Sequence, residues 1–388
     1  MDQGLRIAHV APLAESVPPK LYGGTERVVA WLVDELVELG HDVTLFASGD
    51  SRTRARLVPV WPRALRLGRP RADPIAALAV SLETIAAHAS EFDVIHIHTD
   101  WLHLPLLSRL GVPFLSSPHG RLDLPGFSDV VRRFPDAPFT SISNNQREPL
   151  PEANWLGTVY HGLPDDYLRP SFEPGSYLAF LGRLTAEKGP EVAMRIARAV
   201  GMPLHIAAKV PRGERNYFHS TIEPQIDGES VRLIGEVDDR GKQPFLAGAA
   251  ALLFPIDWPE PFGLVMIEAM ACGTPVIAFR SGSVPEVIDH GVSGFVVEGE
   301  AEAIAALGRL DELDRRTIRR QFERRFTARR MADQYVQHYR TLAETKRQPR
   351  PAKRSQISRS RRAPAPVDVV RPSAEVPASL VLQSRKPA

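Results

Sequence analysis

Short apolar runs alternate with helix-forming stretches from residue 6 onward, and the alternation starts again near residue 177. Strands that are apolar throughout, rather than at every second position, are buried on both faces. Such strands belong to parallel sheets covered by helices. The first series places strands over residues 6–12, 41–48, 93–99, 113–117, 139–143 and 157–161. A helix over 25–39 follows the first strand, with Thr25 as N-cap and Gly40 as stop. A Pro- and Gly-containing break at 171–176 precedes the second series, with strands over 177–184, 204–208, 231–234, 251–254, 275–279 and 294–297. Its first helix, 191–200, has Pro190 at the opening position, where a missing N–H costs nothing. A charged helical stretch over 315–342 closes the pattern. The expectation is an α/β chain of two doubly wound Rossmann-like domains, residues 1–168 and 169–345, facing across a cleft. Ligands in such sheets bind beyond the carboxyl ends of the strands.

Charge and cysteine content narrow the class. The single cysteine, Cys272, leaves no intrachain disulfide and fits a reducing compartment. The first residues lack a signal peptide's basic start and long apolar core, and no apolar run reaches membrane-spanning length. A cytoplasmic protein is predicted. The net charge of +2 hides an asymmetry, because residues 346–388 hold 11 Lys/Arg against 2 Asp/Glu. The other 345 residues carry 37 basic and 44 acidic side chains, and an acidic body argues against nucleic acid as a partner. The tail is rich in Pro, Ser and Arg and is expected to be disordered. Residues 52–71 hold seven arginines and no acid. They read as a solvated loop and helix, with peripheral contact to anionic lipid head groups as the alternative.

Four segments carry chemistry. In PEPFGLVMIEAM, starting at Pro259, the two prolines delay a helix until Gly263. The free amides of Gly263, Leu264 and Val265 then suit a phosphate, with Glu260 before the helix and Glu268 inside it. GRLTAEKG places Arg183 at a strand end and Lys188 before the next helix, as a clamp for a diphosphate. YGGTE puts Gly23 and Gly24 at a helix start, where backbone can approach a ligand closely. SPHG and HIHTD put His119, His98 and Asp100 at strand ends beside the cleft. Taken singly, these residues fit surface acids, loop charges and packed histidines as well as a site.

Together, and in this order, they resemble the retaining glycosyltransferases of family 4, which have the GT-B fold. The resemblance runs from Arg6 to Leu342 and is most specific at Glu260-x7-Glu268 with AMACGTPVIAF. It implies transfer of a hexose from a nucleotide-diphosphate sugar to an unidentified glycan, lipid or small-molecule acceptor. Arg183 and Lys188 would then hold the donor diphosphate and Glu268 the ribose, with Gly263, Leu264 and Val265 at the phosphates. Glu260 and His119 would be catalytic, against the transferred sugar, and Gly23 and Gly24 would shape the loop above. His98 and Asp100 would face the acceptor. No metal or other cofactor is expected, since no Asp-x-Asp stands near the site. Two departures stand out: His161-Gly162 replaces the usual Asn-Gly, and Ser281-Gly282-Ser283 replaces a glycine pair. The second also fits a capping box from Ser283 to Glu286. A GT-B nucleotide-sugar epimerase and a catalytically silent sugar-nucleotide binder are the alternatives.

Overall fold

The computed structural model describes residues 4–20, 23–66, 68 and 72–347. Tyr22, four positions of the arginine-rich stretch (Leu67, Arg69, Pro70, Arg71) and the basic tail from residue 348 lie outside the described residues. Two parallel sheets carry the fold. The first orders β1 (Arg6–Val10), β2 (Asp42–Ser48), β3 (Arg56–Trp61), β4 (Val94–Ile97), β5 (Phe114–Ser116), β6 (Pro138–Ser141) and β7 (Asn154–Thr158) as 3-2-1-4-5-6-7. The second orders β8 (Tyr177–Arg183), β9 (Leu204–Lys209), β10 (Val231–Gly235), β11 (Ala249–Phe254), β12 (Val276–Phe279) and β13 (Gly294–Val297) as 10-9-8-11-12-13. Both sheets therefore reverse winding beside their first strand, between β1 and β4 and between β8 and β11. A crevice opens at each reversal, and the loops after those strands are where ligands sit.

Several local expectations need correction. The first helix is Gly24–Glu38, so Thr25 lies inside it and Gly23 is the N-cap, without a side-chain bond. The carbonyl of Gly23 takes the first helical bond, from the amide of Arg27 at 3.3 Å. The strand expected at 157–161 is β7, three residues earlier, because the chain leaves the sheet after Thr158 to cross to the second half. The arginine-rich stretch contains an edge strand, β3, where Pro59 costs no ladder bond. Three of its charges are met: Arg54 pairs with Glu38, Arg56 with Glu91 at 2.9 Å, and Arg66 with Glu15. The closing helix is two, Arg315–Arg325 and Ala328–Arg347. They break where Leu163 bonds both neighbours of Thr327, accepting from Ala328 at 2.7 Å and donating to Phe326 at 2.9 Å.

Side chains also tie the halves together. Arg27 of the first helix donates to both carboxylate oxygens of Asp239 at 2.6 Å, and the Tyr167 hydroxyl donates to the same group at 2.8 Å. Glu286 does not close a capping box. Ser283 is the N-cap of the short helix Val284–Val287 but forms no side-chain cap. The Glu286 carboxylate instead accepts from the amides of Asn144 and Asn145, each at 2.7 Å, and from the Tyr160 hydroxyl at 2.9 Å. Glu286→Gln keeps the shape and removes the charge from three hydrogen bonds. It is expected to lower unfolding free energy by about 2 kcal/mol, in the range of one charge-assisted bond. An unchanged denaturant midpoint would show that the clasp contributes nothing.

Candidate active site

The loops after β1, β8 and β11 enclose a cavity of about 470 Å³. Each donor-side residue singled out in the sequence lines it: Gly23, Gly24, Arg183, Lys188, Glu260, Gly263, Leu264, Val265 and Glu268, with His119 opposite. The helix Leu264–Ala271 points its N-terminus inward, with Gly263 as N-cap at φ +75°. The left-handed backbone at Gly263 is one that other residues adopt only under strain, so the turn that aims these amides favours glycine. Gly24 comes from the facing half, where an added Cβ would lie 3.5 Å from the Leu264 side chain.

Both carboxylates are buried, which dismisses the reading of two surface acids. Glu260 is 9% exposed, pairs with Lys188 and accepts from the indole N–H of Trp258 at 3.1 Å. Glu268 is 3% exposed and pairs with Lys242 Nζ at 2.5 Å. Lys188 also lies 4.5 Å from the centroid of the Trp258 ring. Arg183 pairs with Glu187 at 3.0 Å, and its buried Nε has no partner. One glycine of the altered Ser281-Gly282-Ser283 segment is explained by contact. A Cβ on Gly282 would fall 2.3 Å from the Glu260 nitrogen, so that residue must be glycine for Glu260 to hold its place.

A second cavity, of about 1420 Å³, meets the first at His119, Thr25, Arg66 and Lys209. Asp100 lines it and is exposed. His98 reaches its wall but offers no free nitrogen, because Nε2 lies 3.0 Å from Nδ1 of His9 and Nδ1 lies 3.0 Å from Nε2 of His119. These rings belong to a larger group that sequence reasoning missed. His9 on β1 is in register with His96 on β4, and the alternation in HIHT sends His96 and His98 to the same side. His96 is fixed between the hydroxyls of Tyr339 and Ser117, at 2.7 Å each. His161, the departure at the crossing point, stacks on His119 with centroids 5.1 Å apart. Burial pushes His9 down to about 3 and His119 to about 4, and holds His96, His98 and His161 well below the ordinary imidazole value. All five rings are neutral at neutral pH.

Two family models match the chain. One, Glycosyltransferase Family 4, covers residues 22–153, and the other, Glycosyl transferases group 1, covers residues 175–310. The D-inositol 3-phosphate glycosyltransferase of Mycolicibacterium vanbaalenii is 26% identical over 353 residues, covering 75% of this chain and 78% of that protein. AviGT4, a glycosyltransferase involved in avilamycin A biosynthesis, superposes with a TM-score of 0.65 at 26% identity, over 88% of this chain and 98% of that one. Anabaena HepE, solved with UDP and glucose, superposes with a TM-score of 0.66 at 18% identity, over 87% of this chain and 100% of that one.

Proposed function

The chain belongs to glycosyltransferase family 4, with the GT-B fold, and from that premise we propose a retaining, metal-independent transfer of a hexose from a nucleotide-diphosphate sugar to an anionic acceptor. The observation that carries this reading is the convergence of a helix N-terminus, two cations and two buried carboxylates on one cavity. The helix amides, Arg183 and Lys188 would take the diphosphate and stabilise the charge that grows on it as it leaves. Those cations supply the electrostatics that a metal would otherwise provide. Glu268 would bind the ribose and Glu260 the transferred sugar. Both carboxylates are tied to lysines, which favours same-face attack over a free carboxylate nucleophile. The departing phosphate would then accept the acceptor's proton while the protein supplies position and closure.

The acceptor class follows from the larger cavity. Beside Arg66, whose charge Glu15 meets, its wall carries Lys209, Arg212 and Arg215 against Asp100 and Glu236, a basic surplus suited to a phosphate or carboxylate. The D-inositol 3-phosphate for which those relatives are named, a sugar-like polyol with one phosphate, has that character. Among the described residues no helix is long and apolar enough to cross a membrane.

The test is product analysis with a panel of nucleotide sugars and of polyols with and without phosphate, read by mass spectrometry and by the anomeric configuration of the product. Turnover should need a phosphorylated acceptor, retain configuration and survive chelation. Arg212→Ala with Arg215→Ala should raise the acceptor KM about tenfold, near one charge-assisted bond, with the donor KM unchanged. Sugar release without any acceptor product would favour the epimerase reading, and no donor turnover at all would favour the silent binder.

A further inference from the structure

We propose that His9 and His98 are positioning residues: a one-way chain of imidazole hydrogen bonds, from His9 to His98 to His119, holds His119 as its Nδ1–H tautomer and so presents an N–H donor to the substrate. His9, His98 and His119 are bonded in series, Nδ1 to Nε2, at 3.0 Å in both links. A neutral imidazole carries one N–H and one lone pair, so the series can run in only two directions without losing a bond. In one direction every ring is protonated on Nδ1; in the other every ring is protonated on Nε2.

The two ends of the chain decide between them. His9 Nε2 and His119 Nδ1 are both buried without a protein partner. His9 is wholly enclosed, whereas His119 lines both cavities. The Nε2–H direction would strand an N–H in the core at His9, and orphaned buried N–H groups are rare and costly. The Nδ1–H direction leaves only a lone pair there and puts its unpaired N–H at His119, where a substrate oxygen can accept it. His96 cannot relieve the inner end, since both its nitrogens are already bonded, to Tyr339 and Ser117. Burial keeps each ring neutral, so no extra proton upsets the order. An unpaired polar atom at a cavity wall calls for an explanation, and a reserved ligand contact supplies one.

The inference rests on the transferase reading only for what accepts the N–H; the tautomer itself does not depend on turnover. The full chain labelled with 15N-histidine is examined by two-bond 1H–15N correlation, with His119 assigned by His119→Gln. The expected wild-type pattern has His119 protonated on Nδ1, and a dominant Nε2–H pattern would overturn the proposal. His98→Phe removes the link and should mix the His119 tautomers, with kcat lowered ten- to a hundredfold, as when the orienting partner of a functional histidine is lost. The donor KM should stay within about twofold. His98→Asn, whose amide donates from near the Nδ1 position, should restore both the tautomer and most of kcat. A His98→Phe variant that keeps wild-type tautomer and kcat, or a folded His98→Asn as impaired as His98→Phe, would also overturn it. If no sugar nucleotide is turned over, the transferase reading fails while the spectrum still decides the tautomer.

Discussion

Glu260→Gln is expected to lower kcat by about a hundredfold, the scale of one lost transition-state contact, while the Kd for a nucleoside diphosphate stays near wild type. Gln keeps the volume and can still accept from Trp258, so the loop has no reason to move. What disappears is the negative charge beside a sugar ring that becomes cationic as the glycosidic bond opens. That charge matters in the transition state and hardly at all to a ligand without a sugar. Lys188, released from its partner, remains free to hold phosphate. Glu268→Gln should do the opposite, because ribose hydroxyls are bound alike in ground and transition states. There nucleoside diphosphate binding should weaken about tenfold, one charge-assisted bond, with kcat near wild type. Its pair with Lys242 is buried, so stability falls as well, and calorimetry belongs well below the melting temperature. Equal, mild effects from both substitutions would remove the donor site, and a reversed pattern would exchange the two roles.

How much of this was legible in the sequence depends on the distance over which each feature is encoded. The buried strands β1, β8 and β12 announce themselves as apolar runs, because a parallel strand covered on both faces has no polar side to show. β3 does not, because it lies at the sheet edge and reads as part of an arginine-rich surface. The donor segments were legible because a helix N-terminus and its flanking charges lie within a dozen residues of one another. The histidine group was not, since His9, His98 and His119 come from three separate loops and strands and meet only through the 1-4-5 strand order. Glu286 shows the same limit in reverse. Ser283 and Glu286 have the local spacing of a capping box, but two backbone amides on the far side of the cleft outcompete the local bond.

That histidine group also predicts an acid limit set well above the usual carboxylate range. Eight described histidines are shifted downward, in each case chiefly by burial, and six of them, His9, His96, His98, His103, His119 and His161, are shifted far. Unfolding exposes them and restores an ordinary value near 6.5, so below that pH the unfolded chain binds more protons than the folded one. Stability is therefore full above about pH 6.5 and is lost as pH falls, at up to about 1.4 kcal/mol per pH unit for each group. Glu15, Glu26, Asp34, Glu35, Asp100 and Asp165 are shifted upward by burial and oppose the loss. Each takes up its proton in the fold at a higher pH than in the unfolded chain, which offsets part of the loss, but their shifts are smaller than those of the six histidines. Six histidines acting together can remove several kcal/mol over one pH unit, against a typical total of about 5–15 kcal/mol. Melting temperature should thus be level from pH 8 to 7 and drop steeply between pH 6 and 5. His103 lies outside the proposed relay, with Nε2 2.7 Å from the Ser116 hydroxyl, so His103→Gln can keep that bond without a titrating group. This variant should flatten the fall by about one-sixth. A melting temperature unchanged down to pH 5 would mean that the six imidazoles stay close to their ordinary values in the fold, and the neutral relay to His119 would lose its footing with them.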